Sequence, residues 1–325
     1  MQLETLKTES TTGNGWNKIY YTLRPIIPRR LQIVIRRHFI EQKLRTVSQH
    51  WPIDPRAAQK PPGWSGWPHN KKFCLVLTHD VETQRGHDRC HELARLEKRL
   101  GFFSAFNFVA RKYSVSEELR QWLRQEGFEV GVHGLYHDGK LYASQKIFQQ
   151  RAREINRVLQ DWGAVGFRSP AMHYKAHWLH DLNILYDCST FDTDPFEPEA
   201  SAVHTIFPLI VKNIEGTRSY VELPYTLPQD FTLFVMLQHN DIQVWADKLE
   251  WIAQNGGMAL VITHPDYMNW DRSKGNFEQY PIELYESFLQ HIRRYYAGQY
   301  WPALPHQVAN FWNCKTSQSD SLARS

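Results

Sequence analysis

The chain has 325 residues, of which 42% are hydrophobic and 22% charged, proportions typical of a globular protein and unlike those of disordered or membrane-embedded chains. No apolar run reaches the roughly 18 to 20 residues needed to cross a bilayer, and the first residues lack the hydrophobic core and cleavage site of a signal peptide. We therefore expect a cytoplasmic protein with one main α/β domain.

Basic residues are concentrated at the amino-terminal end. Residues 1–70 contain eleven Lys or Arg and four Asp or Glu, a net charge of +7, so the rest of the chain carries −3 of the overall +4. Residues 20–45 mix these charges with Leu, Ile, Val and Phe, which predicts a basic amphipathic segment. We expect it to pack across the main domain or to contact an anionic membrane surface, where each basic residue contributes about 1 kcal/mol. No nucleic-acid-binding motif accompanies the charge, so nucleic acid is not an expected partner.

Composition also suggests where the domain begins. Residues 51–68 are rich in Pro, Gly and Trp, which is typical of an extended connector. We divide the chain into a basic extension with this connector (1–70), a main domain (71–312) and a polar tail (313–325). The chain has 12 Trp; burial is their ordinary explanation and stacking on sugars the alternative. The four cysteines include no C-x-x-C pair, so we expect reduced thiols.

From residue 73 onward, short apolar runs alternate with helical patterns, which is typical of βα units around a parallel sheet or barrel. Ser114 and Glu117 match a capping box, and Gly127, Gly163 and Gly256 lie where helices should end. The predicted strands are 73–77, 105–109, 129–132, 165–168, 220–223, 231–237 and 258–263. The predicted helices are 89–100, 115–126, 144–162, 178–183, 242–255 and 281–296.

Two carboxylates follow the first predicted strand. On an extended chain, residues two apart share a face, so Asp80 and Glu82 can point toward one spot. A divalent cation is well served by two histidines and one carboxylate, which leaves a position for water and leaves the second carboxylate free to act as a base. The sequence therefore predicts a metal-dependent hydrolase if two histidines lie nearby.

Histidine spacing alone does not identify those ligands. Among 16 histidines, about one pair four residues apart should arise by chance. Context selects His133 and His137, because they directly follow the predicted strand 129–132 and so lie where the carboxyl ends of parallel strands gather functional groups. The chain has three such pairs: His87 with His91, His133 with His137, and His173 with His177.

Two more reactive side chains are predicted at the same edge of the sheet. Arg168 ends the predicted strand 165–168, where its guanidinium could pair with a carboxylate and keep it ionised. His264 follows the last predicted strand. Taken alone, Arg168 would be interpreted as a member of a structural ion pair and His264 as an ordinary histidine at the rim. Four segments that deliver such groups to one edge indicate an active site.

In order along the chain, five motifs resemble those of the polysaccharide deacetylase family, also called the NodB-homology domain or carbohydrate esterase family four. The resemblance spans residues 72–265. It implies a distorted (β/α) barrel with about seven strands, a bound divalent metal, usually zinc, and hydrolytic removal of an acyl group from an amino sugar. The motifs are Thr78-His79-Asp80-Val81-Glu82, His133 with His137, Arg168-Ser169-Pro170, Tyr186-Asp187-Cys188-Ser189 and Ile262-Thr263-His264.

The resemblance also implies a role for each matching residue. Asp80 matches the general base, and His264 the general acid. Arg168 matches the arginine that steadies the base, and Asp187 an aspartate linked to the acid histidine. The metal ligands would be Glu82, His133 and His137, and the oxyanion-stabilising N–H would belong to Ala171.

This sequence departs from the usual family pattern around the predicted metal. The spaced Asp80-Val81-Glu82 replaces two adjacent aspartates, so either carboxylate could be the ligand. His79 stands where Phe is common, and Ala171 where Tyr is common, which changes the walls of the pocket.

The predicted activity is metal-dependent removal of an N-acyl group, with N-acetyl as the first choice, from an amino sugar in a glycan or glycan precursor. One alternative is a deformylase or amidase that acts on a small, non-polymeric C–N substrate. Another is a catalytically silent glycan-binding domain on the same fold.

Overall fold

The computed structural model describes residues 29–47, 51–197, 202–271 and 275–322. Residues 20–28 of the predicted amphipathic segment lie outside these ranges. Its remainder corresponds to helix α1, Arg29–Val47.

The main domain is built around one β-sheet, to which nine strands contribute within the described ranges. They are β1 Phe73–Val81, β2 Ser104–Phe108, β3 Glu129–Val132, β4 Gly166–Phe167, β5 Tyr186–Asp187, β6 Leu209–Lys212, β7 Ser219–Glu222, β8 Met258–Thr263 and β11 Tyr300–Pro302. A separate pair joins β9, Met268–Asn269, to β10, Tyr280–Pro281. The sheet order is β11-β1-β2-β3-β4-β5-β7-β6, with β8 also paired to β1.

The sheet curls toward closure. Residues 77–79 of β1 pair with both β2 and β8, so these two strands flank β1 on opposite edges. Beyond β7, the N–H groups of Thr226 and Leu227 donate to the carbonyl of Leu260 in β8, at 3.1 and 3.2 Å. The path β8-β1-β2-β3-β4-β5-β7 is therefore a distorted barrel of parallel strands, as the sequence predicted. Strand β6 runs antiparallel beside β7.

Helices connect the strands and cover the barrel. The cap residues Gly163 and Gly256 end two of them with left-handed φ angles of 58° and 74°, as predicted. The predicted capping box is wrong, because Ser116 is the cap and its hydroxyl accepts from the N–H of Leu119 at 3.1 Å. The helices are α2 Gln84–Leu100, α3 Glu117–Gln125, α4 Gln145–Trp162, α5 Ala176–Leu179, α6 Gln243–Asn255, α7 Ile282–Tyr296 and α8 Pro305–Leu322.

One predicted strand is wrong. The apolar run 231–237 contains a π-helix, Phe231–Met236, and Asp230 directly precedes this helix as its N-terminal cap. The side chains from Thr232 to Met236 are all buried, and a short run that is buried throughout fits a helical turn as well as a strand. This difference bears on the site described below, because Asp230 belongs to it.

The amino-terminal segments pack on the domain. In α1, Ile33 is buried, and Arg37 donates to the carbonyls of Val235 at 2.9 Å and Phe277 at 3.0 Å. In the connector, the indole N–H of Trp67 donates to the carbonyl of Gly256 at 2.8 Å. Buried tryptophans of this kind account for part of the high aromatic content. Rings of the connector and the carboxyl-terminal segment pack together, namely Trp64, Trp67, Trp301, Phe311 and Trp312.

Across the described ranges, no helix combines the length and apolar composition that a membrane crossing requires. All four cysteines are free thiols, three of them buried, as the sequence predicted.

Candidate metal centre and catalytic groups

The two carboxylates lie at the carboxyl end of β1. This strand continues to Val81, four residues beyond its predicted end, so Asp80 lies within it and Glu82 follows immediately. Asp80 is 2% exposed and is in register with Asn107 of β2. The strand thus carries its carboxylates into the rim where β3 and β8 also end.

Glu82, His133 and His137 come together at this rim. Each offers one ligand atom, and the three atoms lie within 4.8 Å of one another. Over the ranges that the structure describes, this is the one group of three or more such side chains with that geometry. Of the three histidine pairs in the sequence, it contains the pair that context selected.

Glu82 and His137 lie as close to each other as two ligands of one metal would. Oε1 of Glu82 lies 2.8 Å from Nε2 of His137, yet this buried Nε2 has no hydrogen bond of acceptable geometry to any described residue. The two atoms are therefore close enough to bind one ion together with His133. The donor set of two imidazoles and one carboxylate fits a divalent transition metal such as zinc.

His133 is held in a neutral form that could bind a metal. Its Nδ1 lies 3.1 Å from the carbonyl oxygen of Arg168, and because a carbonyl only accepts, Nδ1 carries the proton. The lone pair is then on Nε2, the usual arrangement for a metal-binding histidine. Burial lowers the pKa of His133 to about 4, against the opposing effect of the Asp80 charge. The ring therefore stays uncharged near neutral pH.

The turn between the two histidines depends on one glycine. Gly134 has a φ of 65°, and a Cβ at this position would lie 2.7 Å from Cγ of Pro170. His137 also adopts a positive φ, 53°, which is uncommon for a residue with a side chain. This tight backbone path returns both imidazoles to the same point.

Asp80 is held apart from the ligand group as an ionised carboxylate. Its Oδ1 accepts from Nη1 of Arg168 at 2.8 Å and from Nδ2 of Asn107 at 3.0 Å. Burial alone would raise the pKa of Asp80, but the charges of Arg168, His133 and His264 lower it to about 2. The geometry therefore groups Glu82, rather than Asp80, with the histidines.

Arg168 holds this carboxylate from within the barrel. The residue is fully buried, and its guanidinium also donates to Oγ1 of Thr78 at 3.0 Å and to the carbonyl of Cys188 at 2.9 Å. A buried cation beside Asp80 offsets much of the cost of a buried carboxylate. The predicted contact between Arg168 and the base is present.

His264 follows β8 and pairs with Asp230. Its Nδ1 lies 2.7 Å from Oδ1 of Asp230, and its backbone N–H donates to Oδ2 at 2.7 Å. Burial lowers the pKa of His264, but the charge and hydrogen bond of Asp230 outweigh it and raise that pKa to about 10. The ring is therefore protonated near neutral pH, and its Nε2 is available as a proton donor.

The predicted link between Asp187 and His264 is wrong. Asp187 is buried, and its carboxylate accepts from the N–H and hydroxyl of Ser189 at 2.9 and 2.8 Å. It faces Glu222, its register partner on β7. Asp187 is therefore paired within the sheet, and the carboxylate partner of His264 is Asp230, which precedes the π-helix.

Asp230 and Asn107 complete the site without having been predicted. Asn107 gives a usable signal, since it is a polar residue inside an apolar strand beside the strand of Asp80. Asp230 gives no usable signal once residues 231–237 are predicted to be a strand. Its role depends on a contact across 34 residues of sequence.

A second histidine pair has a structural explanation. Nε2 of His87 accepts from the N–H of Ser116 at 3.1 Å, and the His91 ring packs on Trp122 with centroids 4.3 Å apart. Neither residue belongs to the ligand group described above.

Comparison with known proteins gives matches in structure only. No family model matches the sequence, and no curated protein does. Among solved structures, a Pseudomonas aeruginosa PAO1 protein assigned as a polysaccharide deacetylase has a TM-score of 0.58 at 17% identity, over 81% of this chain and 98% of that one. A Mycobacterium smegmatis protein with the same assignment has a TM-score of 0.57 at 17% identity, over 79% and 96%.

An allantoinase, Puue, shares the fold to the same degree. Its TM-score is 0.57 at 14% identity, over 81% of this chain and 98% of that chain. The chain therefore has the NodB-like barrel fold of the polysaccharide deacetylases, as the sequence motifs predicted. At these identities the likeness concerns the fold.

Proposed function

We propose that this protein is a metal-dependent hydrolase that removes an N-acyl group, in the first instance acetyl, from an amino sugar in a glycan or glycan precursor. The observation that carries this proposal is the convergence at one barrel rim of three metal-ligand side chains, an ionised carboxylate and a protonated histidine. A network of structural ion pairs would not need metal-ligand side chains, an ionised carboxylate and a protonated histidine together at one place.

Glu82, His133 and His137 would hold the metal, with zinc as the first choice. A divalent cation bound there would act as a Lewis acid and make water reactive near neutral pH.

Asp80 would accept the proton of the attacking water. Its Oδ1 is occupied by Arg168 and Asn107, while its Oδ2 lies 4.0 Å from Nε2 of His133. The carboxylate is thus fixed on one side and directed toward the ligand group on the other. Arg168 keeps it ionised and in place, so it can work as a general base.

His264 would give a proton to the departing amine. An amine leaves as a neutral molecule only if it is protonated, and Asp230 holds His264 in its charged form. The histidine and Asp80 therefore have opposite protonation states at the same pH, which is the pairing that acid–base catalysis requires. The backbone N–H of Ala171 remains our candidate for stabilising the oxyanion.

The alternative substrate is a small, non-polymeric molecule with a C–N bond. The fold is shared equally with an allantoinase, and Ala171, which stands where Tyr is common in the family, is an exposed residue. We also propose a cytoplasmic location, because four free thiols persist most readily in a reducing compartment.

The test is an assay of purified, zinc-supplemented protein against N-acetylated and N-formylated amino sugars, oligosaccharides and small acylated amines. We expect release of acid from an amino sugar, and a loss of about 100-fold or more in Asp80→Asn and in His264→Ala. The matched control is His177→Ala, in an exposed histidine of another pair. Full activity in Asp80→Asn would refute the assigned roles, and sugar binding without any turnover would favour the silent domain.

A further inference from the structure

The short turn after β8 contacts the proposed ligand Glu82 at two points. This turn, Pro265–Tyr267, directly follows His264. Asp266 accepts the backbone N–H of Glu82 on Oδ2 at 2.9 Å, and the Tyr267 hydroxyl donates to Oε2 of the Glu82 carboxylate at 3.0 Å. The segment that supplies the proton donor therefore also holds the carboxylate ligand.

The two oxygens of Glu82 have different partners. Oε2 takes the Tyr267 hydroxyl, whereas Oε1 is the oxygen beside Nε2 of His137. A carboxylate whose far oxygen is occupied presents a single oxygen to the point where the histidines converge. Hydrogen bonds of this kind orient metal ligands and raise their affinity for the metal.

The Tyr267 side chain is itself fixed by its neighbours. Its ring lies against Phe231, with centroids 4.7 Å apart, and against His264, with centroids 5.3 Å apart. Both neighbours belong to the segments that form the acid pair. The position of the hydroxyl is therefore set by aromatic packing and does not depend on Glu82 alone.

The backbone of Glu82 is fixed by Asp266. This residue is 1% exposed and also accepts from the Thr83 hydroxyl. A Cβ on Gly86 would lie 2.2 Å from Oδ2 of Asp266. The carboxylate of Asp266 thus fills the space beside a residue that has no side chain, and the start of α2 is tied to the turn after β8.

We propose that Tyr267 is a positioning residue that orients Glu82 to bind the metal through one oxygen, with Asp266 fixing the backbone from which Glu82 extends. This inference rests on the proposed metal centre. It also gives a physical reason for a hydrogen bond to the glutamate at this place. Glutamate has one more rotatable bond than aspartate, and ordering it costs more entropy. A hydrogen bond to the unused oxygen selects the conformer that reaches the metal.

The test compares metal affinity in Tyr267→Phe with that of the wild type. This substitution keeps the ring packing and removes only the hydroxyl. The full-length protein is freed of metal with a chelator and titrated with Zn(II) in competition with an indicator, and separately with Co(II), whose visible absorption reports the ligand geometry. The matched control is Tyr285→Phe, which removes a buried hydroxyl that donates to a carboxylate, Glu97, outside the ligand group.

We expect Tyr267→Phe to lower zinc affinity by about 10-fold or more and to alter the Co(II) spectrum. We expect Tyr285→Phe to bind as the wild type does. Thermal unfolding of the metal-free proteins should differ little between wild type and Tyr267→Phe. Equal affinity of Tyr267→Phe and wild type, or an equal loss in the control, would overturn the inference and leave the proposed function standing. A wild type that binds no metal would instead overturn the metal centre.

Discussion

Asp230 is the largest of the influences that keep His264 charged, ahead of Glu82 and Asp80, and this makes the role of His264 open to a pH measurement. A proton donor is active below its pKa and inactive above it. Asp230 raises the pKa of His264 to about 10, so the proposed acid stays protonated well above neutral pH. Without the Asp230 charge, burial would lower that pKa against the weaker opposing effects of Glu82 and Asp80.

We predict that Asp230→Asn moves the basic limb of the kcat/KM profile to lower pH by about one unit or more. The asparagine has one acceptor oxygen in place of two, so the variant loses the charge together with an acceptor for either the backbone N–H or the Nδ1–H of His264. The measurement is kcat/KM from pH 6 to pH 11 for both proteins. An unshifted basic limb would show that His264 is not the group that limits activity at high pH.

Sequence reasoning succeeded for residues whose function depends on local order along the chain. Glu82 and His133 directly follow strands, and His137 lies four residues beyond His133, so the three could be placed at one rim. It failed for the partner of His264, because Asp187 and Asp230 are both aspartates near strand ends and only the fold determines which one reaches the histidine. It left the choice between Asp80 and Glu82 open, because that depends on side-chain direction after a strand longer than predicted.

At the scale of elements, strands β5 and β7 place two buried acids side by side. Asp187 and Glu222 are register partners, and both are fully buried. Burial raises the pKa of each, and the Asp187 charge raises that of Glu222 further. In the folded protein the carboxyl groups of Asp187 and Glu222 therefore hold their protons to higher pH than in the unfolded chain, where carboxyl groups ionise near pH 4. The pair's contribution to stability is present at low pH and is lost as pH rises through the folded pKa values.

We predict that Glu222→Gln raises the free energy of unfolding at pH 8 by about 1 to 2 kcal/mol and has little effect at pH 4. The amide can donate to Asp187 where the second carboxylate would repel it. Urea unfolding at the two pH values measures the difference. A gain of equal size at both pH values would contradict the account, because it would not come from ionisation.

Helix α1 has two unlike faces. The inward face packs on the π-helix segment that begins at Asp230, and Arg36 lies over the Phe231 ring at 5.2 Å. The outward face exposes Leu31, Val34 and Phe39, at 49%, 57% and 52%. The exposed charges of the helix are predominantly basic, namely Arg30, Lys43 and Arg45 against Glu41. Exposed apolar and basic side chains together fit the contact with an anionic membrane surface that the sequence analysis left open.

We predict that the full-length protein sediments with anionic phospholipid vesicles and much less with zwitterionic ones, and that added salt weakens this binding. Replacing Leu31 and Phe39 with serine should reduce it by about 10-fold or more, because each buried side chain contributes about 1.5 to 3 kcal/mol. Ile214→Ser, at an exposed apolar residue outside α1, is the control. Unchanged binding in the double variant would show that α1 is not the contact.

At the scale of the whole molecule, alternation of apolar runs and helical patterns predicted βα units around a parallel sheet or barrel, and the family resemblance selected the barrel. The alternation missed β5 and β11, since these strands have two and three residues and are too short to show a period. The helix α8 continues past residue 313, where a polar tail was predicted. Closure through Thr226 and Leu227 involves backbone contacts that no side-chain pattern records. The segments that the sequence could place at the rim are those that follow a recognised strand, whereas Asp230 precedes a π-helix and was not predicted.

The barrel rim, as we propose it, holds a metal on Glu82, His133 and His137 while Asp80 stays free. The direct measurement is anomalous diffraction at the zinc edge from crystals of the zinc-loaded protein. We predict a single strong peak bounded by Oε1 of Glu82 and Nε2 of the two histidines, with Asp80 still paired to Arg168. A peak that takes Asp80 in place of Glu82, or no zinc at this rim, would contradict the claim.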